Sequence, residues 1–349
     1  MSQTADLRIS KIKPLIAPGV LAEDLPLDQL ASAQIDRARQ DIAAIMHGTD
    51  DRLVVVVGPC SIHDPVAALD YAANLKSAAA QHPDDLLIVM RVYFEKPRTV
   101  VGWKGLINDP ARDGSYQINQ GLRIARQLLV NIAQLGIPIG TEFLDTTLGQ
   151  FYADAVSWGA IGARTVESQI HRELASGLSM PVGFKNGTAG NVKIAVDAIR
   201  SAAQPHWFPS LTREGAPAIM GTTGNPDAHL VLRGGTAGPN FSSEHIQKAT
   251  ELLLRHDLPP HLMVDCSHAN SGKDPARQPL VAAELATQIA AGESAISAVM
   301  LESHLVGGAQ SLDTEPLVYG RSVTDACLGW EETLPVLDTL AQAVRTRRK

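Results

Sequence analysis

Short runs of β-branched and aliphatic residues recur along the chain, and helix-length stretches separate them. Eight such runs begin at Leu53, Leu86, Ile137, Ala160, Met180, His229, His261 and Ala295. Strands that alternate with helices form right-handed β–α–β units, and eight of these units close a parallel barrel. An open, doubly wound sheet is the alternative, but such sheets more often have about five or six strands. The pattern therefore predicts an α/β fold of the (β/α)8 or TIM barrel type.

Two segments fall outside the eight units. Residues 1–50 contain an amphipathic helix from about Asp28 to His47. Residues 206–228 hold Pro, Gly and Thr between the fifth helix and the sixth strand, where connections are usually shorter. We therefore predict an N-terminal extension over 1–50, used for assembly or regulation, and a catalytic barrel over 51–349. A hairpin or ordered flap is expected at 206–228.

Composition and charge narrow the function classes. With 349 residues and 45% hydrophobic content, the chain has enough apolar material for a large core. The formal net charge of -7 argues against a nucleic-acid partner, for which a basic face is expected. No apolar run has the length of a membrane segment, and three cysteines without CxxC spacing do not indicate a disulfide framework. We therefore expect a cytoplasmic protein with no nucleic-acid and no membrane partner.

Charged residues follow almost every aliphatic run, so a barrel would collect them at the carboxyl ends of its strands. Six of them are cations, namely Arg91, Lys96, Arg98, Arg164, Lys185 and Arg233. Cations gathered in one barrel mouth repel one another, which indicates a site for anions such as phosphates or carboxylates. The alternative, a salt bridge from each cation to a neighbouring acid, is less expected for six residues at corresponding positions.

A second group at the strand ends has the character of metal ligands. Cys60, His268 and Glu302 follow the first, seventh and eighth runs, and Asp325 lies in the loop after the last one. A thiolate, an imidazole and two carboxylates suit Mn²⁺, Fe²⁺, Co²⁺ or Zn²⁺ better than Mg²⁺ or Ca²⁺. Taken singly, the cysteine and the histidine are more often structural residues. The chain has no Walker A, HExxH or post-strand GxGxxG motif, so no nucleotide cofactor is indicated.

Long motifs spread over nearly the whole chain resemble one enzyme family. They are GPCSIHDP (58–65), MRVYFEKPRTVVGWKGLINDP (90–110), WGAIGARTVESQIHRE (158–173), PVGFKNGT (181–188), LRGG (232–235), DCSHANS (265–271) and ESH (302–304). Together they resemble the 3-deoxy-D-arabino-heptulosonate 7-phosphate (DAHP) synthases of the type I, feedback-regulated bacterial form. The resemblance implies condensation of phosphoenolpyruvate with erythrose 4-phosphate, which releases phosphate in the first step of the shikimate pathway.

The resemblance also implies a role for each residue of the site. The implied metal ligands are Cys60, His268, Glu302 and Asp325. The implied phosphoenolpyruvate pocket consists of Arg91, Lys96, Arg164, Lys185 and Arg233 with the backbone of Gly162 and Ala163. Arg98 and Thr99 would hold the erythrose phosphate, and Glu142 would position a water. For Lys96 we predict a proton donor to the new alkoxide, with a pKa lowered by its cationic neighbours.

In the regulated relatives an aromatic amino acid binds outside the barrel mouth. The corresponding residues here are Asp6, Gly149, Gln150, Leu178, Ser179, Phe208 and Ser210. Gly149 stands where phenylalanine- and tyrosine-sensitive members tend to carry proline, which favours tryptophan over tyrosine or phenylalanine as the effector. A homodimer or homotetramer is expected. We also predict that Cys60 and Cys327 form a disulfide when the metal is lost, because a thiolate ligand is then open to oxidation.

The sequence leaves three alternative functions to be compared with this one. A catalytically dead sensing homologue would lack a metal ligand or a phosphate-binding arginine, and none is missing. A Schiff-base aldolase would use Lys185, since a lysine at a barrel strand end can form an imine. An eight-carbon sugar-acid synthase acting on arabinose 5-phosphate is the third, but KPRT at 96–99 and the N-terminal extension favour the four-carbon aldehyde.

Overall fold

The computed structural model describes residues 4–98 and 100–349. Its strands, in chain order, are β1 (Leu53–Gly58), β2 (Leu86–Arg91), β3 (Ile139–Glu142), β4 (Trp158–Ile161), β5 (Val182–Lys185), β6 (Trp207–Leu211), β7 (Pro217–Gly221), β8 (Ala228–Leu232), β9 (Leu262–Asp265), β10 (Ile296–Glu302), β11 (Val306–Ala309) and β12 (Arg321–Ser322). The eight predicted strands, β1–β5 and β8–β10, form one closed parallel barrel in which β10 pairs with β1. The predicted (β/α)8 barrel is confirmed.

Helices alternate with the barrel strands and cover their outer faces. They are α1 (Pro18–Asp24), α2 (Gln29–Met46), α3 (Pro65–Ala79), α4 (Ile118–Gln134), α5 (Gln169–Gly177), α6 (Lys193–Ala202), α7 (Ser243–Leu254), α8 (Gln278–Ala290) and α9 (Trp330–Arg347), with 3₁₀ turns at Leu148–Phe151, Ala153–Ala155 and Pro275–Arg277. None of these helices is long and apolar enough to cross a bilayer.

Strand β1 shows why aliphatic runs were a sufficient signal for the barrel. All six of its residues are buried, because one face meets the helices and the other fills the barrel. Val55 and Val57 pack in the outer layer with helix residues, whereas Val54 and Val56 belong to the interior cluster. A strand covered on both faces reads as a continuous apolar run rather than an alternating one.

The N-terminal extension closes one end of the barrel. The side chain of Asp28 accepts a hydrogen bond from Ala31 N at 2.7 Å and so caps the start of α2. Three residues from the last turns of α2, Ile42, Ile45 and Met46, join the interior cluster with the inward-facing strand residues. Helix α2 therefore covers the N-terminal end of the barrel, which leaves the C-terminal end for a site.

The inserted segment forms the hairpin that was predicted. Strands β6 and β7 pair antiparallel, from Trp207 opposite Gly221 to Leu211 opposite Pro217. At the hairpin tip the carbonyl oxygen of Arg213 accepts a hydrogen bond from Gly19 N of α1 at 2.6 Å. The hairpin is therefore attached to the N-terminal extension.

Candidate active site

The carboxyl ends of the barrel strands bring together the side chains that the sequence singled out. Lys96, Arg98, Glu142, Gly162, Ala163, Arg164, Lys185, Arg233, His268 and Asp325 line one cavity of about 380 Å³. Thr99, predicted to bind the sugar phosphate, lies outside the described residues. The order of the barrel strands thus gathers residues that lie far apart in sequence.

Cations dominate the described lining of this cavity. Five of the six predicted cations face it, and the sixth lining cation is Lys273, which the sequence analysis missed. The only lining carboxylates among the described residues are Glu142 and Asp325. An excess of cations in a concave, partly desolvated site attracts anionic ligands. The structure therefore gathers five of the six predicted cations in one cavity at the strand ends.

Arg91 takes a different position from the other cations. It is 1% exposed and lies beneath the cavity rather than on its wall. Its guanidinium donates to Glu302 Oε1 at 3.1 Å and stacks on the Tyr93 ring, with Cζ 3.9 Å from the ring centroid. These contacts indicate that Arg91 holds Glu302 in place. The direct contact with phosphoenolpyruvate predicted for Arg91 stays a prediction.

Three of the four proposed metal ligands converge beside the cavity. One donor atom each from Cys60, Glu302 and Asp325 lies within 4.8 Å of the other two. His268 is at the edge of this group, with Nε2 3.8 Å from Glu302 Oε1. A thiol, carboxylates and an imidazole at such spacing fit a borderline-soft divalent ion, and we regard the donor set as suitable for one.

The strands and helices around this group fix its geometry. Register pairs Gly58 of β1 with Glu302 of β10, so Cys60, two residues past the strand, arrives beside the glutamate. Gln278 at the start of α8 donates to the backbone oxygen of Glu302 at 3.0 Å and accepts from its backbone nitrogen at 2.8 Å. The glutamate is thereby held on both sides of its α-carbon.

The Cys60 thiol has two neighbours with functional consequences. Lys96 Nζ lies 3.1 Å from Sγ of Cys60, and Cys327 Sγ lies 3.4 Å from the Cys60 backbone nitrogen. Burial raises the pKa of Cys60, so the sulfur keeps its proton unless a cation replaces it. All three cysteines are buried and free.

The lowered pKa predicted for Lys96 is wrong. Burial disfavours its charge, but the neighbouring Cys60 and Glu302 outweigh burial and raise its pKa. The prediction counted the cations that share the strand ends, whereas the groups that raise the Lys96 pKa are the Cys60 sulfur, 3.1 Å from Nζ, and the Glu302 carboxylate. Lys96 is therefore protonated, which is the state that a proton donor needs.

Asp265, the last residue of β9, belongs to the site and was not predicted. Its side chain is completely buried, accepts from Lys185 Nζ at 2.9 Å and lies 2.8 Å from His268 Nδ1, which also lies 2.7 Å from Ser267 Oγ. Burial opposes ionisation, but His268 and Lys185 hold the pKa of Asp265 well below its ordinary value. The sequence carried one signal for it, a carboxylate three residues before a predicted ligand histidine.

Glu142 and Gly162 come from neighbouring strands and fit each other closely. Glu142 ends β3, and Gly162 follows β4. A Cβ atom on Gly162 would clash with Oε1 of Glu142. Glycine at this position therefore lets the carboxylate lie against the backbone of 162–163 at the cavity wall.

A second cavity, of about 560 Å³, lies between the N-terminal helices and the 3₁₀ turns after β3. Of the predicted effector residues, Gly149, Gln150, Leu178 and Ser179 line it. The structure does not bring the other three to this cavity. Phe208 and Ser210 lie on β6, and Asp6 lies in the exposed N-terminal segment. Arg213 of the hairpin tip also lines the cavity, and Gln150 contacts β7, with Nε2 3.8 Å from Met220 Sδ.

A closed parallel barrel with a cation-lined cavity beside possible metal ligands defines an α/β-barrel enzyme for anionic substrates. The family model described as "DAHP synthetase I family" matches residues 29–337. The chain belongs to this family, and it is an enzyme of the DAHP synthase class.

Relatives along the full length agree with this assignment. The chain is 56% identical to the "Phospho-2-dehydro-3-deoxyheptonate aldolase, Phe-sensitive" of Escherichia coli (strain K12) over 347 residues, 99% of each chain. It is 55% identical to the Trp-sensitive aldolase of Enterobacter agglomerans, over 99% of this chain and 100% of that one. The solved aldolase of Francisella tularensis SCHU S4 superposes with a TM-score of 0.96 at 52% identity, over 98% of this chain and 100% of that one.

Proposed function

We propose that the chain condenses phosphoenolpyruvate with erythrose 4-phosphate to give DAHP and phosphate, with a divalent metal, under feedback inhibition by an aromatic amino acid. The observation that carries this proposal is the cavity of six cations beside the Cys60–Glu302–Asp325 group. The two substrates bring two phosphates and a carboxylate, so they need a site of this charge.

The cations of the cavity divide between the two substrates. Arg164, Lys185 and Arg233 are assigned to the phosphate and carboxylate of phosphoenolpyruvate. Arg98 is assigned to the sugar phosphate, and its Nε donates to the Trp103 carbonyl at 2.8 Å, which anchors the loop that carries it. Arg91 is assigned to phosphoenolpyruvate as well, and one of its guanidinium nitrogens donates to Glu302 at 3.1 Å. The anions and the cations then neutralise each other's charge within one cavity.

The reaction forms a carbon–carbon bond and breaks a carbon–oxygen bond. C3 of phosphoenolpyruvate attacks the aldehyde carbon, and the new alkoxide takes a proton from Lys96. Water adds to C2 at a place fixed by Glu142, and the proton that this water releases restores Lys96. The resulting hemiketal phosphate loses phosphate by C–O cleavage. A bound divalent ion supplies Lewis-acid polarisation of the aldehyde oxygen. Lys96 is suited to the proton transfer because it is protonated and lies among the proposed ligands.

Chelation tests the metal requirement against the Schiff-base alternative. Activity should disappear with EDTA and return with Mn²⁺, Fe²⁺, Co²⁺ or Zn²⁺, measured by phosphate release. Borohydride should trap no adduct on Lys185, because its ammonium is ion-paired to Asp265 at 2.9 Å. Full activity in EDTA together with a borohydride adduct would overturn the metal route. Running the assay with arabinose 5-phosphate separates the eight-carbon alternative.

The effector is proposed to be tryptophan, with tyrosine or phenylalanine as the alternatives. The cavity of about 560 Å³ has the size of a small-molecule site. Gly149 lies on the cavity wall, and a Cβ there would make a tight contact of 3.3 Å with the buried Phe143 ring. The preference for tryptophan rests on glycine at 149, where phenylalanine- and tyrosine-sensitive members tend to carry proline. Titration of activity with each amino acid decides, and inhibition by phenylalanine or tyrosine alone would count against tryptophan.

We also propose a homodimer or homotetramer that works in the cytoplasm. Three buried free thiols agree with a reducing compartment. Light scattering at several protein concentrations would give the assembly, and a monomer at all of them would contradict the proposal.

A further inference from the structure

One buried carboxylate touches both halves of the candidate active site. Oδ2 of Asp265 lies 2.9 Å from Lys185 Nζ and 2.8 Å from His268 Nδ1. Oδ1 accepts from the backbone nitrogen and the hydroxyl of Ser267, at 2.9 and 2.7 Å. With zero solvent exposure, the carboxylate has no water to replace a lost partner. Both oxygens are therefore fully committed to protein donors.

The contact with His268 sets which ring nitrogen carries the proton. Nδ1 lies 2.8 Å from Oδ2 of Asp265 and 2.7 Å from Ser267 Oγ, whose own hydrogen is donated to Asp265 Oδ1. Both neighbours are therefore acceptors, so Nδ1 carries the hydrogen and the lone pair is on Nε2. Nε2 is the atom that points to the ligand group, 3.8 Å from Glu302 Oε1. The backbone supports the same orientation, because His268 adopts a left-handed conformation with φ 53° and its carbonyl accepts from Lys273 N at 2.7 Å. Asp265 thus prepares the imidazole as a ligand.

The contact with Lys185 belongs to the anion half of the site. Lys185 is 5% exposed and lines the cavity, and its ammonium bonds the same oxygen that bonds His268. A carboxylate oxygen shared by two donors serves each less strongly than it would serve one alone. When an anionic ligand draws Lys185 toward the cavity, Asp265 turns more fully to His268. Oδ2 of Asp265 therefore connects the proposed ligand His268 with the cavity cation Lys185.

We propose that Asp265 is a positioning residue that links metal binding at His268 to anion binding at Lys185. This inference rests on the proposed function, because it takes His268 as a metal ligand and Lys185 as a phosphoenolpyruvate residue. Asp265 touches neither metal nor substrate. It makes each of them favour the binding of the other.

The substitution Asp265→Asn tests the first half of this inference. An amide has one oxygen and cannot serve the donors on both sides of the carboxylate, so either His268 or Ser267 loses its acceptor. Calorimetric titration of the apoprotein with Zn²⁺ and with Mn²⁺ should show affinity about 10- to 100-fold weaker than that of the unsubstituted chain. Unchanged affinity for both ions would overturn the inference.

Asp85→Asn is the matched control. Asp85 is also a buried acid bonded to two cations, Arg345 and Arg348, but it precedes β2 at the opposite end of the barrel. The substitution Asp85→Asn should lower the melting temperature and leave metal affinity unchanged. If both variants weaken metal binding equally, Asp265 has a merely structural role and the inference fails.

A double-substitution cycle tests the link itself. Metal affinity is measured for Lys185→Met, for Asp265→Asn and for the two combined. Communication through Asp265 predicts that the Lys185→Met effect changes by more than about twofold when Asp265 is replaced. Effects that multiply independently would overturn it. If Asp265→Asn does not fold, the unsubstituted chain still tests the link, because phosphoenolpyruvate should tighten its metal binding.

The failure of the inference can be told from failure of the proposed function. If the unsubstituted chain binds neither divalent ions nor phosphoenolpyruvate, the proposed function falls and the inference falls with it. If it binds both, and phosphoenolpyruvate does not change its metal affinity, the inference alone is wrong.

Discussion

The two ends of the barrel treat their charges in opposite ways. At the N-terminal end the cations that fix α9 are matched with acids. Arg345 bonds Asp85, and Arg348 bonds both Asp85 and Asp51. At the C-terminal end six cations face one cavity with two carboxylates, counted over the lining residues that the structure describes. The same chain therefore pairs its charges at one end and leaves an excess of one sign at the other.

The difference reflects what each end does. Paired charges stabilise the fold or cost little, whereas clustered cations repel one another and lower the stability of the empty site. An anionic ligand relieves that repulsion. The cations at the mouth therefore lower the stability of the ligand-free protein and favour the binding of anions. Substitutions at the mouth should change catalysis, and substitutions at the other end should change stability.

The largest effect is expected at the mouth, from Lys96→Met. Methionine keeps much of the side-chain length and removes the proton and the charge. Turnover, followed by phosphate release, should fall at least about a hundredfold, since a positioned acid contributes at least that much. Phosphoenolpyruvate binding should remain measurable by calorimetry. Retained turnover would show that another group supplies the proton.

The next effect concerns oxidation at the same end. After EDTA treatment and exposure to air, the two thiols of Cys60 and Cys327 should be oxidised to a disulfide, with dioxygen as the electron acceptor. Activity should fall in step with disulfide formation, and dithiothreitol with metal should restore it. The short approach of Cys327 Sγ to Cys60 N supports this pairing.

Non-reducing peptide mapping checks the oxidation prediction. Cys266, which is also buried, is the internal control and should stay a free thiol. Cys327→Ser should protect the chelated enzyme from loss of activity in air. Two free thiols at 60 and 327 in the inactivated enzyme would contradict the prediction.

The third effect is a dependence of the protein's stability on pH, caused by Glu95, which precedes Lys96. Burial raises the pKa of Glu95 from 4.5 to about 7, opposed by a contact with Asp145 N at 3.4 Å. The unfolded chain ionises first, so the stability from protonated Glu95 is complete below pH 4.5 and is lost as pH rises through 7. Glu95→Gln mimics the protonated form, and its advantage in unfolding free energy should grow to about 3 kcal/mol by pH 8.

Urea unfolding at pH values from 5 to 8 measures this difference. Glu331→Gln, at an exposed position on α9, is the control for replacing a glutamate by glutamine. A constant difference between Glu95→Gln and the unsubstituted chain would mean that the Glu95 pKa is not raised.

The smallest effect belongs to the N-terminal end and is purely one of stability. Asp85→Asn should lower the free energy of unfolding by about 2 kcal/mol, because two charge-assisted hydrogen bonds are weakened. Asp338→Asn removes the exposed contact with His82 and should cost less than about 0.5 kcal/mol. Thermal unfolding measures both. Neither should change kcat or KM, and a changed KM for Asp85→Asn would break the separation between the two ends.

The barrel was predictable because its signal is local. Each strand is covered on both faces, so its apolar run is visible without knowledge of its partners. Helix α1 was missed because seven residues starting at Pro18 carry no apolar stripe. The end of the barrel that α2 covers could not be predicted, since it depends on packing between Ile42, Ile45 and the inward-facing strand residues.

The site was predictable only from the rule that residues following the strands of a barrel gather at its carboxyl end, which we call the strand-end rule. That rule brought Glu142, Lys185 and Arg233 to one cavity, but it does not specify the direction of a side chain. Arg91 is therefore buried beneath the cavity lining, and Lys273, from a loop beyond β9, lines the cavity although the sequence did not single it out. The prediction of a lowered pKa for Lys96 was wrong for the same reason, because a pKa depends on the groups that lie nearest in space.

The pairing of β1 with β10 has a consequence for the order of events in folding. These are the first and last barrel strands along the chain, and they become neighbours only when the ring closes. Cys60 follows one of them and Glu302 ends the other, so the proposed ligands meet at that moment and not before. Uptake of a divalent ion during refolding would therefore report the closure of the barrel, because it should begin only after β10 has paired with β1.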